Sequence, residues 1–276
     1  MNPIVNIGIK AARQAGNTIM RYVDRVDRLN VEVKGRNDFV SEVDRMAEDE
    51  IIEIIQSAYP DHGILAEESG TEKTPQPQSE EAPEFQWIID PLDGTTNFLH
   101  GHPDFAVSIG VIHKGNIEHG IIFDPLRNDL YTASRNQGAQ INGRRMRVSG
   151  HDKLKQSIIG TGYPSRDLEN FDTWLQCLNT VIKKSGGIRV SGCASLDLVS
   201  VACGRTDAFW EPGLKPWDLA AGCLMVREAR GFVSDFDGEQ DFLENGNVIA
   251  ANRKIFNDLL TLIRSGSKGA FQGAPD

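Results

Sequence analysis

Cysteine is scarce in this chain. Its 276 residues include four, Cys177, Cys193, Cys203 and Cys223, with no close pair and no histidine at zinc-like spacing. That pattern excludes a zinc finger and argues against a disulfide-held secreted domain. Long apolar runs are missing too, since none approaches the roughly 20 residues of a membrane span. The N-terminal stretch MNPIVNIGIKAARQAG lacks the uninterrupted apolar core of a signal peptide. A cytoplasmic protein with no membrane contact is expected. Positive charge is in deficit: 29 Lys and Arg stand against 39 Asp and Glu, a formal net charge of −10. Binding nucleic acid through a broad basic face is therefore disfavoured, and no direct nucleic-acid site is evident. The short run Arg144-Arg145-Met146-Arg147 reads as solvated surface. No nucleophile elbow supports Ser-His-Asp hydrolysis, and Gly160-Thr161-Gly162 lacks the third glycine of a dinucleotide fingerprint.

What is present is an ordinary globular composition, 39% hydrophobic and 25% charged. Apolar residues at Ile4, Ile7, Ala11, Ala15, Ile19 and Tyr22 predict an amphipathic helix over 4–26. A second helix is expected from Asp44 to the Tyr59-Pro60 stop, and a short strand over 64–66. The Pro-rich stretch 69–84 reads as a surface loop. FQWIID, FAVSIGVI, IEHGIIFD and DLYTAS then read as strands parted by turn residues. Helices are expected over 168–184, 194–203, 217–228 and 254–263, with strands over 208–211, 232–235 and 248–251. Mixed strands and helices, many of the strands hairpin-linked, predict an α/β (α+β layered) fold. A single catalytic domain of two packed halves is expected over 1–264, followed by a disordered tail over 265–276.

Three acidic clusters fall where predicted elements end: Glu67-Glu68, Asp90 with Asp93, and Asp218 in K-P-W-D-L-A-A-G. Each alone has an ordinary explanation as surface charge, turn or helix cap. Together, with no His or Cys among them, they make an oxygen-only donor set suited to Mg²⁺ or Mn²⁺. Asp90 ends an apolar strand, and the Pro-Leu pair is expected to turn Asp93 back toward it. Carboxylates so close repel unless a cation lies between them. An acidic chain acting on an anion also needs such cations to reverse the local sign. Gly94-Thr95-Thr96 follows at once, with amides suited to an anion and a hydroxyl suited to a water. Metal-assisted phosphoryl transfer to water is the expected chemistry. His100 and His102, at i,i+2 spacing beside an oxygen-only set, read as loop histidines.

D-P-L-D-G-T-T-N, preceded by Glu67-Glu68-Ser69 and followed by P-W-D-L-A-A-G, resembles the inositol monophosphatase family. F-V-S-E-V-D, F-A-V-S-I-G, G-A-Q-I-N-G and E-A-R-G-F-V-S-D-F agree, and D-P-L-R-N-D-L-Y-T-A-S-R is most similar to the bacterial SuhB branch. The resemblance implies a five-layered αβαβα sugar-phosphatase fold, similar to fructose-1,6-bisphosphatase. It implies that Glu67, Asp90 and the Leu92 carbonyl hold a first metal, and Asp90, Asp93 and Asp218 a second. Thr95, backed by Asp44, would orient the attacking water, and the amides of Gly94 and Thr95 would hold phosphate. Glu211 would take inositol hydroxyls, with Gly192, Cys193 and Ala194 lining the same pocket beside Asp218. Two or three Mg²⁺ per site, lithium sensitivity and a homodimer are further implications. So is a role with transcription-complex proteins in antitermination.

Two departures stand out. Cys193 replaces the usual Ser or Thr, a weaker hydrogen-bond donor. Arg230 replaces the first Gly of the usual E-A-G-G, a strained choice if the backbone there has positive φ. Within the phosphatase class, myo-inositol 1-phosphate is the first expectation. Fructose 1,6-bisphosphate and 3′(2′),5′-bisphosphate nucleotides are the alternatives. Glu211 favours a neutral polyol, because a carboxylate repels a second phosphate. One of Trp210 and Trp217 could be core while the other flanks the pocket, and the sequence leaves that open.

Overall fold

A computed structural model describes residues 2–36, 38–69, 83–164 and 168–267. Most of the expected 69–84 loop and of the 265–276 tail lies outside these residues. The chain begins with α1 (Pro3–Tyr22), β1 (Val31–Gly35), β2 (Asp38–Ser41), α2 (Glu42–Ala58) and β3 (Gly63–Ala66). A long meander follows: β4 (Phe85–Asp93), α3 (Thr95–Leu99), β5 (Ala106–His113), β6 (Asn116–Asp124), β7 (Asp129–Ser134), β8 (Gly138–Ile141) and β9 (Arg144–Arg145). The second half holds β10 (Ile158–Thr161), α4 (Phe171–Ile182), β11 (Gly187–Arg189), α5 (Ala194–Ala202) and β12 (Ala208–Glu211). It ends with α6 (Pro216–Glu228), β13 (Phe232–Ser234), α7 (Phe242–Asn245), β14 (Val248–Ala251) and α8 (Phe256–Ser267). α8 runs three residues beyond the expected domain end at 264, with Gly266 packed on Cys177 of α4.

The strands form a seven-stranded sheet, β3-β4-β5-β6-β7-β8-β9, a five-stranded sheet, β11-β10-β12-β14-β13, and the β1-β2 hairpin. Three apolar cores explain their stacking. The first joins Ala11, Ala15 and Ile19 of α1 and Ala47, Ile51 and Ile55 of α2 to one face of the larger sheet. The second lies between the sheets, where α5 and α6 bury Leu198, Leu224 and Met225 against Ile122, Phe209 and Ala250. The third packs Trp174 and Cys177 of α4 and Leu259 and Ile263 of α8 against Trp210 and Ile249. Alternation along β12 assigns Phe209 to the middle core and Ala208 and Trp210 to the outer one, as the two-residue period requires. The result is αβαβα, the five-layered architecture that the resemblance implies.

Close approach of α6 to the larger sheet depends on two glycines. A Cβ on Gly110 would lie 2.7 Å from that of Ala220, and one on Gly120 2.9 Å from the carbonyl oxygen of Ala221. With hydrogen at both positions the helix backbone settles onto β5 and β6. The N-terminal end of α6 thereby reaches the carboxylates of β4.

Candidate active site

In a regular strand, residues three apart face opposite sides. Asp90 and Asp93 nonetheless converge, and the reason is a bulge. β4 pairs with β5 through Asp90↔Ser108 and resumes at Asp93↔Ala106, so Pro91 and Leu92 together face the single residue Val107. The extra residue restores the two aspartates to a common side. Proline suits the position because it has no N–H to contribute to the ladder. The expected Pro-Leu turn is thus a bulge within a continuous strand, and the Leu92 N–H donates to Asp90 Oδ1 at 3.0 Å.

Asp218 arrives from α6. The Ser108 hydroxyl, in register with Asp90, donates to the carbonyl of Trp217 at 3.2 Å and fixes the helix start beside the bulge. Asp218 also accepts from the Lys215 N–H at 2.7 Å, as a residue at the third helical position can. One carboxylate oxygen each from Asp90, Asp93 and Asp218 lies within 4.8 Å of the others. Asp90 and Asp93 are buried and Asp218 is half-buried. Glu67, at the end of β3, falls outside this trio of ligand atoms but hydrogen-bonds the Asp90 side chain. Burial pushes the Asp90 carboxyl well above the ordinary range. The nearby charges of Glu67, Asp93 and Asp218 and the Glu67 hydrogen bond add to that shift. Among the described residues, the charged neighbours that shift Asp90 most are all acidic. A buried, all-oxygen cluster of this kind fits a hard divalent cation such as Mg²⁺.

Glu48 holds the Glu67 corner, and the sequence reading passed over it. Its buried carboxylate accepts the N–H groups of Glu68 and Ser69, both at 2.8 Å. Glu48 stands one helical turn after Asp44 on α2, a spacing that could have revealed it. Lys34 of β1 closes the corner from outside with a 2.5 Å ion pair to Glu68, whose carboxyl burial pushes up to about 7.

Thr95 opens α3 directly after the bulge. Its hydroxyl lies 2.8 Å from Asp44 Oδ1 and 3.1 Å from the Leu92 carbonyl. Asp44 is held in turn by the N–H of Ser41 at 2.9 Å and its hydroxyl at 2.5 Å, both on Oδ2. Burial raises the Asp44 carboxyl, against the hydrogen bonds from Ser41 and Thr95. Gly94 has φ +91°, and a Cβ there would lie 2.8 Å from the carbonyl oxygen of Asp104. Only glycine fits both demands. The amides of the turn that follows have no acceptor within the helix.

The loop before α5 completes the wall. Asp93 Oδ2 accepts from the Ser195 N–H at 2.7 Å and from the Cys193 thiol at 3.1 Å. Gly192 has φ +79°, and Asn97 pins the loop by donating to the carbonyls of Ser191 (2.8 Å) and Asp104 (2.7 Å). Ser191 donates to the buried Asp197 at 2.6 Å. Ala194 is the first residue of α5. Glu211 ends β12 with its carboxylate over Gly162, where a Cβ would sit 2.1 Å from the carboxyl carbon and both oxygens. Trp210 is fully buried in the outer core, so it is a core residue, and Trp217, next to Asp218, is half-buried. His100 and His102 are exposed, and His102 pairs with Asp104 at 3.6 Å. Arg230 has φ +74°, so the departure from glycine does carry backbone strain.

Comparison with known proteins agrees with this geometry. The profile of the inositol monophosphatase family matches residues 1–267. The Nus factor SuhB of Pseudomonas aeruginosa is 49% identical over 266 residues, covering 96% of this chain and 97% of that protein. The crystal structure of the extragenic suppressor protein suhB from Bartonella henselae superposes with a TM-score of 0.91 at 43% identity, covering 96% of this chain and all of that one. An IMPase from Thermotoga maritima superposes with a TM-score of 0.85 at 33% identity, covering 97% and 99%.

Proposed function

The chain belongs to the inositol monophosphatase family, and we propose that it is a Mg²⁺-dependent phosphomonoesterase releasing phosphate from myo-inositol 1-phosphate and related polyol phosphates. The observation that carries this reading is the buried, wholly acidic cluster of Asp90, Asp93 and Asp218 with the Thr95–Asp44 pair beside it. Glu67, Asp90 and the Leu92 carbonyl would hold one Mg²⁺, and Asp90, Asp93 and Asp218 another, with a third ion or Mn²⁺ admissible. Bound there, the cations would neutralise phosphate charge and make water a better nucleophile at neutral pH.

The chain's own groups do the rest. Ser41 saturates Asp44 Oδ2 and leaves Oδ1 to receive the Thr95 proton. The Thr95 oxygen is then free to accept from, and so to aim, the attacking water. The raised proton affinity of Asp44 suits it to back that transfer. The amides of Gly94 and Thr95 would hold the phosphate oxygens, and Glu211 would accept from polyol hydroxyls beside Gly192, Cys193 and Ala194. As the water oxygen bonds to phosphorus, its proton would pass by way of Thr95 to Asp44, the ester P–O bond breaks, and the leaving polyol oxygen takes a proton from solvent water.

The test is phosphate release from inositol 1-phosphate, with Mg²⁺ titrated from zero, for wild type and Asp93→Asn. Loss of one transition-state stabiliser should cost on the order of 10²-fold or more. Turnover that needs no metal, or survives the substitution, would sink the reading. Turnover only on fructose 1,6-bisphosphate or a 3′(2′),5′-bisphosphate nucleotide would reassign the substrate.

The Pseudomonas aeruginosa relative is a Nus factor, which favours a second role, partnership with transcription-complex proteins in antitermination. Both roles fit one fold. An Asp93→Asn chain that still supports a transcription-linked phenotype would separate them. Lithium inhibition and a cytoplasmic location belong to the same proposal. Among the described residues no helix is long and apolar enough to cross a membrane. A homodimer, implied by the family resemblance, belongs to the same proposal.

A further inference from the structure

The turn D-P-L-R-N-D, Asp124 to Asp129, joins β6 to β7 and takes no part in the acidic cluster. Its arginine nevertheless reaches further than a hairpin turn requires. The Arg127 N–H donates to Oδ1 of the buried Asp124 at 2.9 Å, and its Nη1 donates to Oδ2 at 2.7 Å. A clamp for the hairpin alone would end there. The same Nη1 also donates to the Pro103 carbonyl at 2.9 Å, and Nη2 donates to Asp104 Oδ1 at 2.8 Å. One guanidinium thus fastens the segment between α3 and β5 onto the end of β6.

That segment is the seat of Gly94. A Cβ on Gly94 would lie 2.8 Å from the Asp104 carbonyl oxygen, and the same oxygen accepts from Asn97 Nδ2 at 2.7 Å. An amide nitrogen has two protons to give, and Asn97 donates the other to the Ser191 carbonyl at 2.8 Å. The Asn97 carbonyl accepts the His102 N–H at 2.8 Å, so the segment wraps around this one residue. Asn97 therefore joins the Gly94–Thr95 turn to the Gly192–Ala194 loop, and the Asp104 carbonyl is the fixed point of that joint. Phe105, edge-on to the buried Phe98 at 5.5 Å, keeps the next residue in the core. Loss of the Arg127 clamp should then shift 103–104 without unfolding the segment.

We propose that Arg127 and Asn97 are positioning residues for phosphate. Arg127 fixes the Asp104 carbonyl, and Asn97 carries that position to the Gly94 and Thr95 amides on one side and to Gly192–Ala194 on the other. Both act through main-chain groups. The inference rests on the reading that the Gly94 and Thr95 amides hold phosphate oxygens. Glycine brings no side chain to pack, and at φ +91° the backbone of Gly94 gains no help from its own conformational preference. The aim of its amide must therefore be imposed from outside. Aim matters, since a misplacement of about 1 Å far from the chemistry can cost on the order of 10²-fold in rate.

The test titrates inorganic phosphate into the full chain with Mg²⁺ present, following the Gly94 amide by NMR, and measures kcat and KM on inositol 1-phosphate alongside. Arg127→Lys keeps a cation on Asp124, which protects the fold, but one ammonium cannot span Asp124, Pro103 and Asp104 together. It should weaken phosphate binding several-fold and lower kcat about tenfold, with the Mg²⁺-induced gain in Tm unchanged. Asp104→Ala leaves Arg127 on Asp124 and should show the same pattern. Asn97→Asp keeps the shape but loses both donors, and should cost on the order of 10²-fold in kcat. Because the two residues act through one carbonyl, Arg127→Lys added to Asn97→Asp should cost little more than Asn97→Asp alone. Unchanged phosphate affinity and kcat in Arg127→Lys and Asp104→Ala would overturn the assignment, and so would losses that multiply in the double variant. A wild-type Gly94 amide that ignores phosphate would instead remove the reading of those amides, and the assignment with it.

Discussion

Gly162 and Glu211 cannot both carry a side chain at their point of contact, since a Cβ on Gly162 would fall 2.1 Å from the Glu211 carboxyl group. The glycine is what allows the carboxylate to lie where it does. Gly162→Ala is therefore expected to displace Glu211 and raise KM for inositol 1-phosphate about tenfold, the scale of one charged hydrogen bond. Turnover of p-nitrophenyl phosphate, which offers no polyol hydroxyls, should hardly change. Parallel losses on both substrates would show that Glu211 does not select the polyol.

Cation binding should stabilise the fold, because it relieves the repulsion around Asp90. At a hundred times its Kd, Mg²⁺ is expected to add about 2.7 kcal/mol, several degrees of Tm for a chain of this size. Thermal unfolding with and without Mg²⁺ reads this directly. In Asp218→Ala the increment should shrink sharply, and an unchanged increment would place the cation elsewhere.

Cys193 bears on which oxygen of Asp93 is free. Its thiol and the Ser195 amide both engage Oδ2, leaving Oδ1 for other ligands. Cys193→Ala should lower kcat/KM by up to about tenfold and weaken the apparent Mg²⁺ affinity, given the worth of a hydrogen bond to a charged group. Cys193→Ser should recover both, since a hydroxyl is the stronger donor. Failure of serine to outperform alanine would remove the thiol from this role.

Asp197 should leave a mark on the pH dependence of stability. Burial pushes its carboxyl up to about 7, despite the Ser191 hydrogen bond. The folded state then holds this proton more tightly than the unfolded chain, whose carboxyl titrates near 3.9. Across that window the native state binds more protons, so stability falls as pH rises from about 4 to about 7. Denaturant midpoints should decline over the range in wild type, and less steeply in Asp197→Asn. Equal slopes would show that Asp197 does not titrate in this way.

The acidic cluster was legible in the sequence because oxygen donors crowd into short motifs. Asp90, Asp93 and Asp218 do meet; strand and helix periods pointed to mixed layering, and its five layers were implied by the family resemblance. The bulge was not legible, because Pro91-Leu92 between two acids reads equally well as a turn. The short strands β8, β10 and β11 each contain a glycine (Gly138, Gly160 and Gly187), which reads as a break rather than a strand. Contacts such as Gly162 with Glu211 or Asn97 with Ser191 join distant segments, and no local spacing encodes them. Arg230 was readable only as a conditional, and its φ of +74° supplies the condition.

α2 gives the site a common mechanical reference. Asp44 fixes the Thr95 hydroxyl, and one turn later Glu48 fixes the backbone that carries Glu67. Ile51 and Ile55, further along the helix, anchor it in the core with no exposed surface. Truncating either isoleucine would tilt the Thr95 and Glu67 segments together, so a lesion deep in that core is expected to disturb the acidic site before the protein unfolds.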